Sequence, residues 1–363
     1  MTSSAILAVE RLSSMHWRTF DPFLFCAYHK DNYPASVGTG SDYYSMGVDP
    51  KHLEDRYIGS DFSEQDGFSM YHGRVVPGFP SHPHFGFETV TVARQGLIDH
   101  FDSLGATARY GEGDLQWLTT GAGIQHSEMF PLRNADKPNP AELFQLWLNL
   151  PKAKKRSKPF FSMAWGPEQP LQSFGEKGKQ AHLKLHGGKF AGLVGVPPPP
   201  DSYASDPKSE IVIATLKMEP GSSFKLPPAS SSEINRTIYM FIGSGLSVED
   251  KVFKDLTMVR LVADKEVELK HVGTEDLEVL LLQGRPIGEP VAQQGPFVAN
   301  SREELLQVSR EFSRTQFGGW KWPRRDPVHP REQGRFFEIN GVRVDAPDNS
   351  SSSVSGGSCA PSS

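Results

Sequence analysis

Two short segments carry the residues that could do chemistry together. The first is Phe79-Pro80-Ser81-His82-Pro83-His84-Phe85-Gly86-Phe87-Glu88. In a strand, residues two apart point to the same side, so His82 and His84 present two imidazoles to one point. Glu88 shares their parity if no bulge intervenes. The second segment is Gly121-Ala122-Gly123-Ile124-Gln125-His126-Ser127-Glu128, where His126 and Glu128 again lie two apart. Two such pairs on separate strands of one small barrel could converge on a single cation. The donor set would be three imidazoles and one carboxylate, with Glu88 and Glu128 competing for the fourth place. A mix of nitrogen and oxygen donors without thiolate suits Fe(II), Mn(II), Co(II), Ni(II) or Cu(II). Zinc could bind the same ligands, usually as a four-coordinate centre. A six-coordinate metal with four protein ligands keeps two positions open for substrate and O2. His100, just before a turn, reads as a structural histidine, and Trp117 and Trp147 read as core.

The elements that must position these residues read as strands. From 70 to 150, runs rich in Val, Thr, Phe and Leu alternate with Gly-containing turns every 8–12 residues, the pattern of a β-sandwich or barrel. A second β-rich stretch covers 211–282, with strands expected at 211–216, 237–242 and 277–282. Between them the Lys- and Pro-rich stretch reads as a domain junction, with 161–207 as the linker. Residues 31–66 show no period and read as a long insertion loop, placed where it could cover the site. One helix is expected at 302–314, because Ser301 and Glu304 form a capping box and Leu305, Val308 and Phe312 share a face. Asn340-Gly341 marks a hairpin between 335–339 and 342–344. The Ser-rich tail, 346–363, is expected to be disordered.

Composition narrows the function. The chain has 363 residues and a formal net charge of −5, with no basic half, so direct nucleic-acid binding is not expected. No apolar run approaches the ~20 residues of a membrane-spanning helix. Two cysteines, Cys26 and Cys359, give no disulfide framework and suit a reducing compartment, hence a cytoplasmic protein.

The linked segments HPHFGFETVT, IDHFDSLG, GEGDLQWLTTGAGIQHSEM and LFQLWLNLP resemble the pirin family of the cupin superfamily. GRPIGEPVAQQGPFVANSREEL resembles the C-terminal segment of that family, and FGGWKWPRRDPVHPREQGRF the ending of its longer, bacterial-type members. The resemblance implies an all-β chain of two stacked cupin-type β-barrels, a bicupin, with a short C-terminal helix. The N-terminal metal-binding barrel would occupy 1–160 and a C-terminal barrel without metal 208–335. The resemblance further implies one metal per chain, Fe(II) first among the candidates, held by His82, His84, His126 and Glu128. Stretch 211–282 holds a single histidine, His271, and so lacks a ligand set. Pirins are described as flavonol (quercetin) 2,3-dioxygenases, which implies a flavonol-like substrate and O2, with Glu128 also taking the substrate's hydroxyl proton. They are also described as iron-dependent transcriptional cofactors in the nucleus, which implies a redox-sensitive binding module acting through a protein partner. Either role is expected of a monomer. One position departs from the family: the residue after the second histidine, usually Arg, is Phe85, whose parity turns it away from the metal.

Overall fold

Short strands broken by glycine turns can bury apolar faces only by closing on one another. In the computed structural model, which describes residues 4–13 and 15–347, they do so as two barrels. The strands at the start of the chain and in the first barrel are β1 (Ile6–Arg11), β2 (Phe23–Tyr33), β3 (Gly78–His84), β4 (Phe87–Gln95), β5 (Leu97–Asp102), β6 (Thr107–Gly111), β7 (Leu115–Thr119), β8 (Ile124–Met129), β9 (Asn139–Asn149) and β10 (Phe160–Ala164). Those that follow are β11 (Ala181–Phe190), β12 (Val212–Met218), β13 (Ser223–Leu226), β14 (Asn235–Ile242), β15 (Leu246–Val248), β16 (Lys251–Phe253), β17 (Thr257–Val262), β18 (Val267–His271), β19 (Leu277–Gly284), β20 (Phe336–Ile339) and β21 (Val342–Asp345).

The first barrel has a sheet with the order β7-β4-β9-β2 facing one with the order β3-β8-β5-β6. The second barrel has β17-β14-β19-β12 and β13-β18-β15-β16. Every label rises by ten, so the two barrels are one topology built twice. The sheets containing β2 and β12 pack face to face. Trp17, Tyr28, Trp117 and Phe144 from the first barrel and Ile213, Tyr239, Phe241 and Leu282 from the second form one buried cluster. Arg94 adds a polar clasp between the barrels, donating to Glu142 at 2.8 Å and Glu278 at 2.6 Å.

The domain limits read from the sequence need correction at three places. Stretch 161–207 is not a bare linker. Most of β10 falls in it and pairs with β7, and β11 pairs with β12. In β11 the buried Ala181, Leu183 and Leu185 alternate with outward polar residues, and the surrounding Lys and Pro hid that alternation. The two ends of the chain are also exchanged. β1 pairs with β17 of the second barrel, while β20 pairs with β6 of the first. Each terminal strand covers an edge that would otherwise present unpaired N–H and C=O groups.

Residues 31–66, expected as an insertion loop, hold no strand or α-helix beyond Tyr33, but they are folded. Their first residues end β2, and the rest folds over the first barrel. Asp31 accepts from the Ser69 N–H and the Tyr71 hydroxyl, both at 2.8 Å. The buried Arg56 donates to Asp61 and to the Phe68 carbonyl, both at 2.9 Å. Val48, Phe68, Met70 and Tyr71 join the core beside Tyr33. The segment's order comes from polar residues making buried bonds, which leave no period in the sequence. The single α-helix among the described residues, α1 (Arg302–Thr315), starts as expected, with the Ser301 hydroxyl accepting from the Glu304 N–H. The hairpin across Asn340-Gly341 also forms. The tail expected to be disordered lies, from residue 348 onward, outside the described residues. Among the described residues no helix is long and apolar enough to cross a membrane.

Candidate metal centre

Strands β3 and β8 are antiparallel, with His82 directly opposite His126 and His84 opposite Ile124. A bulge between Phe79 and His82 takes up the extra residue and re-aims the strand, as bulges beside functional sites often do. The outer edge of β3 is closed by Arg325, whose carbonyl accepts from the Ser81 N–H and whose guanidinium donates to the Ser81 carbonyl, both at 2.6 Å.

The ring centroids lie 4.5 Å apart for His82 and His126, and 4.8 Å apart for the other two pairs among His82, His84 and His126. One nitrogen from each ring lies within 4.8 Å of the others. The His82 Nδ1 stands 2.9 Å from the Pro80 carbonyl, which can only accept. That bond fixes the tautomer with the proton on Nδ1 and leaves Nε2 bare. Neither nitrogen of His126 has a hydrogen-bond partner, nor does Nδ1 of His84, although these atoms are buried. Buried polar atoms are nearly always paired, so orphaned nitrogens on converging rings fit a cation. Burial pushes His82 down to about 4, and His84 and His126 well below the ordinary histidine value. All three are therefore neutral near pH 7, as ligands must be.

Glu128 stands beside this group rather than inside it. Its Oε2 is 3.6 Å from the His126 Nε2. Thr91 donates to Oε1 and Gln145 to Oε2, each at 3.4 Å. Burial pushes the Glu128 carboxyl up to about 7. A dication would reverse that shift, since an opposite charge favours the ionised form. The residues thus fit a divalent metal with N3O donors and open positions.

Glu88, the other carboxylate that shared the parity of the histidines, is not there. The turn at Phe85-Gly86 between β3 and β4 ends the alternation. Gly86 has φ +84°, and a Cβ on it would meet the Val298 carbonyl oxygen at 2.0 Å. Glu88 consequently faces the second barrel, accepting from Thr119 at 2.7 Å and Ser202 at 2.6 Å. Burial pushes it, too, up to about 7. His100 is opposite Glu128 on β5, fully buried, with Nε2 3.5 Å from Asp102. Its ring is 5.4 Å from that of His126, behind it. Phe85 turns away from the histidines, as its parity demands, and packs with Phe297, Phe317 and Leu305 under α1.

A cavity of about 340 Å³ opens beside the three histidines. Phe25, Phe62, Phe79, Phe130 and Trp147 supply its apolar walls, with His82, His84, Glu128 and Gln145 at the polar end. Trp117 is core, with its ring wedged against Gly187 between the barrels. Trp147, also read as core, instead lines the cavity. Phe62 belongs to the segment expected to cover the site and does form part of the wall. Sequence reasoning missed Thr91 and Gln145, the residues that hold Glu128. Gln145 was within reach, because it shares parity with Trp147 on β9.

The model of the pirin family matches residues 7–148, and that of the pirin C-terminal cupin domain matches residues 213–318. The chain belongs to the pirin family. A pirin-like protein of Caulobacter vibrioides is 33% identical over 285 residues, covering 78% of this chain and 95% of that protein. Human pirin is 31% identical over 261 residues, covering 69% of this chain and 81% of its own. Among solved structures, a quercetin 2,3-dioxygenase from Acinetobacter baumannii superposes with a TM-score of 0.66 at 25% identity, over 86% of this chain and 98% of that one. Membership in the pirin family fits the duplicated topology and makes the chain a bicupin.

Proposed function

We propose that this pirin is a metal-dependent dioxygenase of a flavonol-type substrate, of the quercetin 2,3-dioxygenase kind, with its metal held by His82, His84, His126 and Glu128. The observation that carries the reading is the set of three converging imidazoles with unpartnered nitrogens, opening onto an aromatic-walled cavity. The likeness to a solved quercetin 2,3-dioxygenase supports the substrate class. Fe(II) suits the thiolate-free donor set and the use of O2. When bound, the metal supplies Lewis acidity at a substrate oxygen and redox capacity towards O2. The walls from Phe79, Phe130 and Trp147 exclude water and align a flat substrate. Glu128, held by Thr91 and Gln145, accepts the proton of the substrate hydroxyl, the general-base role of a carboxylate that the metal charge would keep ionised.

Oxygen consumption by iron-loaded protein with quercetin tests this. Uptake is expected in the wild type, lost in His84→Ala together with the metal. In Glu128→Gln it should fall by about 100-fold or more, since that amide cannot serve as the base. If fully metal-loaded wild type takes up no oxygen with any flavonol, the enzyme reading fails. A metal-controlled binding module acting through a protein partner is then the better account.

A further inference from the structure

The cavity has a second polar feature that the metal reading does not use. His29 sits on β2, in the sheet opposite β3 and β8, and lines the same cavity as His82 and His84. It is only 5% exposed. Its Nδ1 is buried without a hydrogen-bond partner, and among the described residues its ring makes no hydrogen bond. Its neighbours are aromatic: Tyr71 lies edge-on at 4.9 Å between centroids and Phe79 at 5.9 Å. The Tyr71 hydroxyl donates to Asp31 and not to His29. Burial, with His16 nearby, pushes His29 down to about 3, so the ring is neutral. A neutral imidazole offers one donor and one acceptor, a match for an aromatic hydroxyl.

The other two histidines that line this cavity outside the cluster differ. His72 and His16 are exposed at the cavity mouth, and the His72 Nδ1 already stands 2.9 Å from the Gly59 carbonyl. His29 alone is both buried in the wall and unpaired. A leucine would fill this place without leaving a buried polar atom unsatisfied. The cavity, at about 340 Å³, is at the small end of ligand pockets, so a flat substrate reaching the cluster also passes His29.

We propose that His29 is a specificity-determining residue, whose imidazole hydrogen-bonds a hydroxyl on the part of the aromatic substrate remote from the three-histidine cluster. The inference rests on the flavonol reading above for its substrate class, though not on turnover.

The test is equilibrium binding of quercetin and galangin, which differ only in two hydroxyls on the pendant ring, to metal-loaded protein under nitrogen. Quenching of tryptophan fluorescence reports occupancy, and metal content is measured in parallel. Wild type is expected to prefer quercetin by about tenfold, because a site built to bond a hydroxyl rejects the analogue lacking it. His29→Phe should bring the ratio to near one with bound metal unchanged. His29→Asn, which keeps a donor and an acceptor, should retain part of the preference. It also stands in if the Phe variant does not fold, with His29→Leu as its apolar counterpart. An unchanged ratio in the apolar variant, no preference in the wild type, or no binding of either flavonol overturns the inference. If wild type shows a His29-dependent preference yet consumes no oxygen with quercetin, the dioxygenase reading falls and this inference stands.

Discussion

The two barrels share a strand order and differ in what fills them. On β3 and β8 of the first, His82 faces His126, with His84 and Glu128 nearby. On the matching strands β13 and β18 of the second, Phe224 faces Leu269 and Leu226 faces Val267, all buried. Each of those apolar side chains contributes roughly 1.5–3 kcal/mol on burial. The first barrel gives up that contribution where it gathers imidazoles. The second does contain buried histidine, since β11 brings His186, which the stretch 211–282 leaves out. Both ring nitrogens of His186 are engaged, by Gln169 at 2.6 Å and Thr215 at 3.0 Å. His126 is equally buried and has no partner for either nitrogen. Unmet bonds on converging rings, and not burial, therefore set His126 apart from His186.

The largest test of this contrast is metal content. Elemental analysis of the purified protein should give one metal per chain. His126→Ala should lower it by more than tenfold, whereas His186→Ala and His100→Ala should leave it near one. Two tightly bound metals per chain, or equal losses in these variants, would break the comparison between the barrels.

Stability should differ in sign. Leu269→Ala leaves a cavity in the apolar barrel and should cost ~2–5 kcal/mol in urea unfolding. Glu128→Leu, measured on metal-free protein at pH 8, should instead gain ~2 kcal/mol. It replaces a carboxylate whose ionisation burial opposes with the kind of residue the second barrel uses. A destabilised Glu128→Leu would show that the carboxylate is not held there against its own solvation.

A pH series sharpens the reading of Glu88, the carboxylate that faces the second barrel. Its value is raised from 4.5 to about 7 in the folded chain. Below about pH 4.5 it is protonated in both folded and unfolded states, and its contribution is fully present. As pH rises from there to 7 the unfolded chain releases the proton first, so stability is lost, by an amount on the order of 3 kcal/mol. Above 7 the loss is complete. Glu88→Gln should remove this fall, which denaturation at pH 4.5, 6 and 8 would detect. A parallel profile in wild type and variant would contradict the burial argument. The smallest effect belongs to the second barrel's outer face. Lys225 and Glu266 form an exposed pair at 3.2 Å, and Lys225→Ala should change stability by less than ~0.5 kcal/mol.

Much of this was legible in the residues, and for stated reasons. The two i, i+2 pairs announced converging imidazoles because alternation is strict within a strand. The capping box gave α1, and Asn340-Gly341 gave the last hairpin. Glu88 misled because parity does not survive the Gly86 turn. β11 was hidden because its outward residues match the Lys-rich stretch around it. The folded segment after β2 was hidden because Asp31 and Arg56 meet their partners only in three dimensions. Nothing local could show that β1 belongs to the second barrel, or that the last hairpin belongs to the first, since such pairing joins residues more than 220 positions apart.

That exchange of ends has a kinetic consequence. The first barrel receives its closing strand, β20, from residues 336–339, and the edge of its histidine strand is covered by Arg325. At ~5–20 residues per second of synthesis, the nascent chain presents His82 and His126 for tens of seconds at the slower rates before those covers exist. The histidine strand thus spends that interval as an open edge. The site is completed by residues made some 200 positions after His126, so a chain stopped short of residue 325 would carry every candidate ligand and still lack the wall that holds them in register.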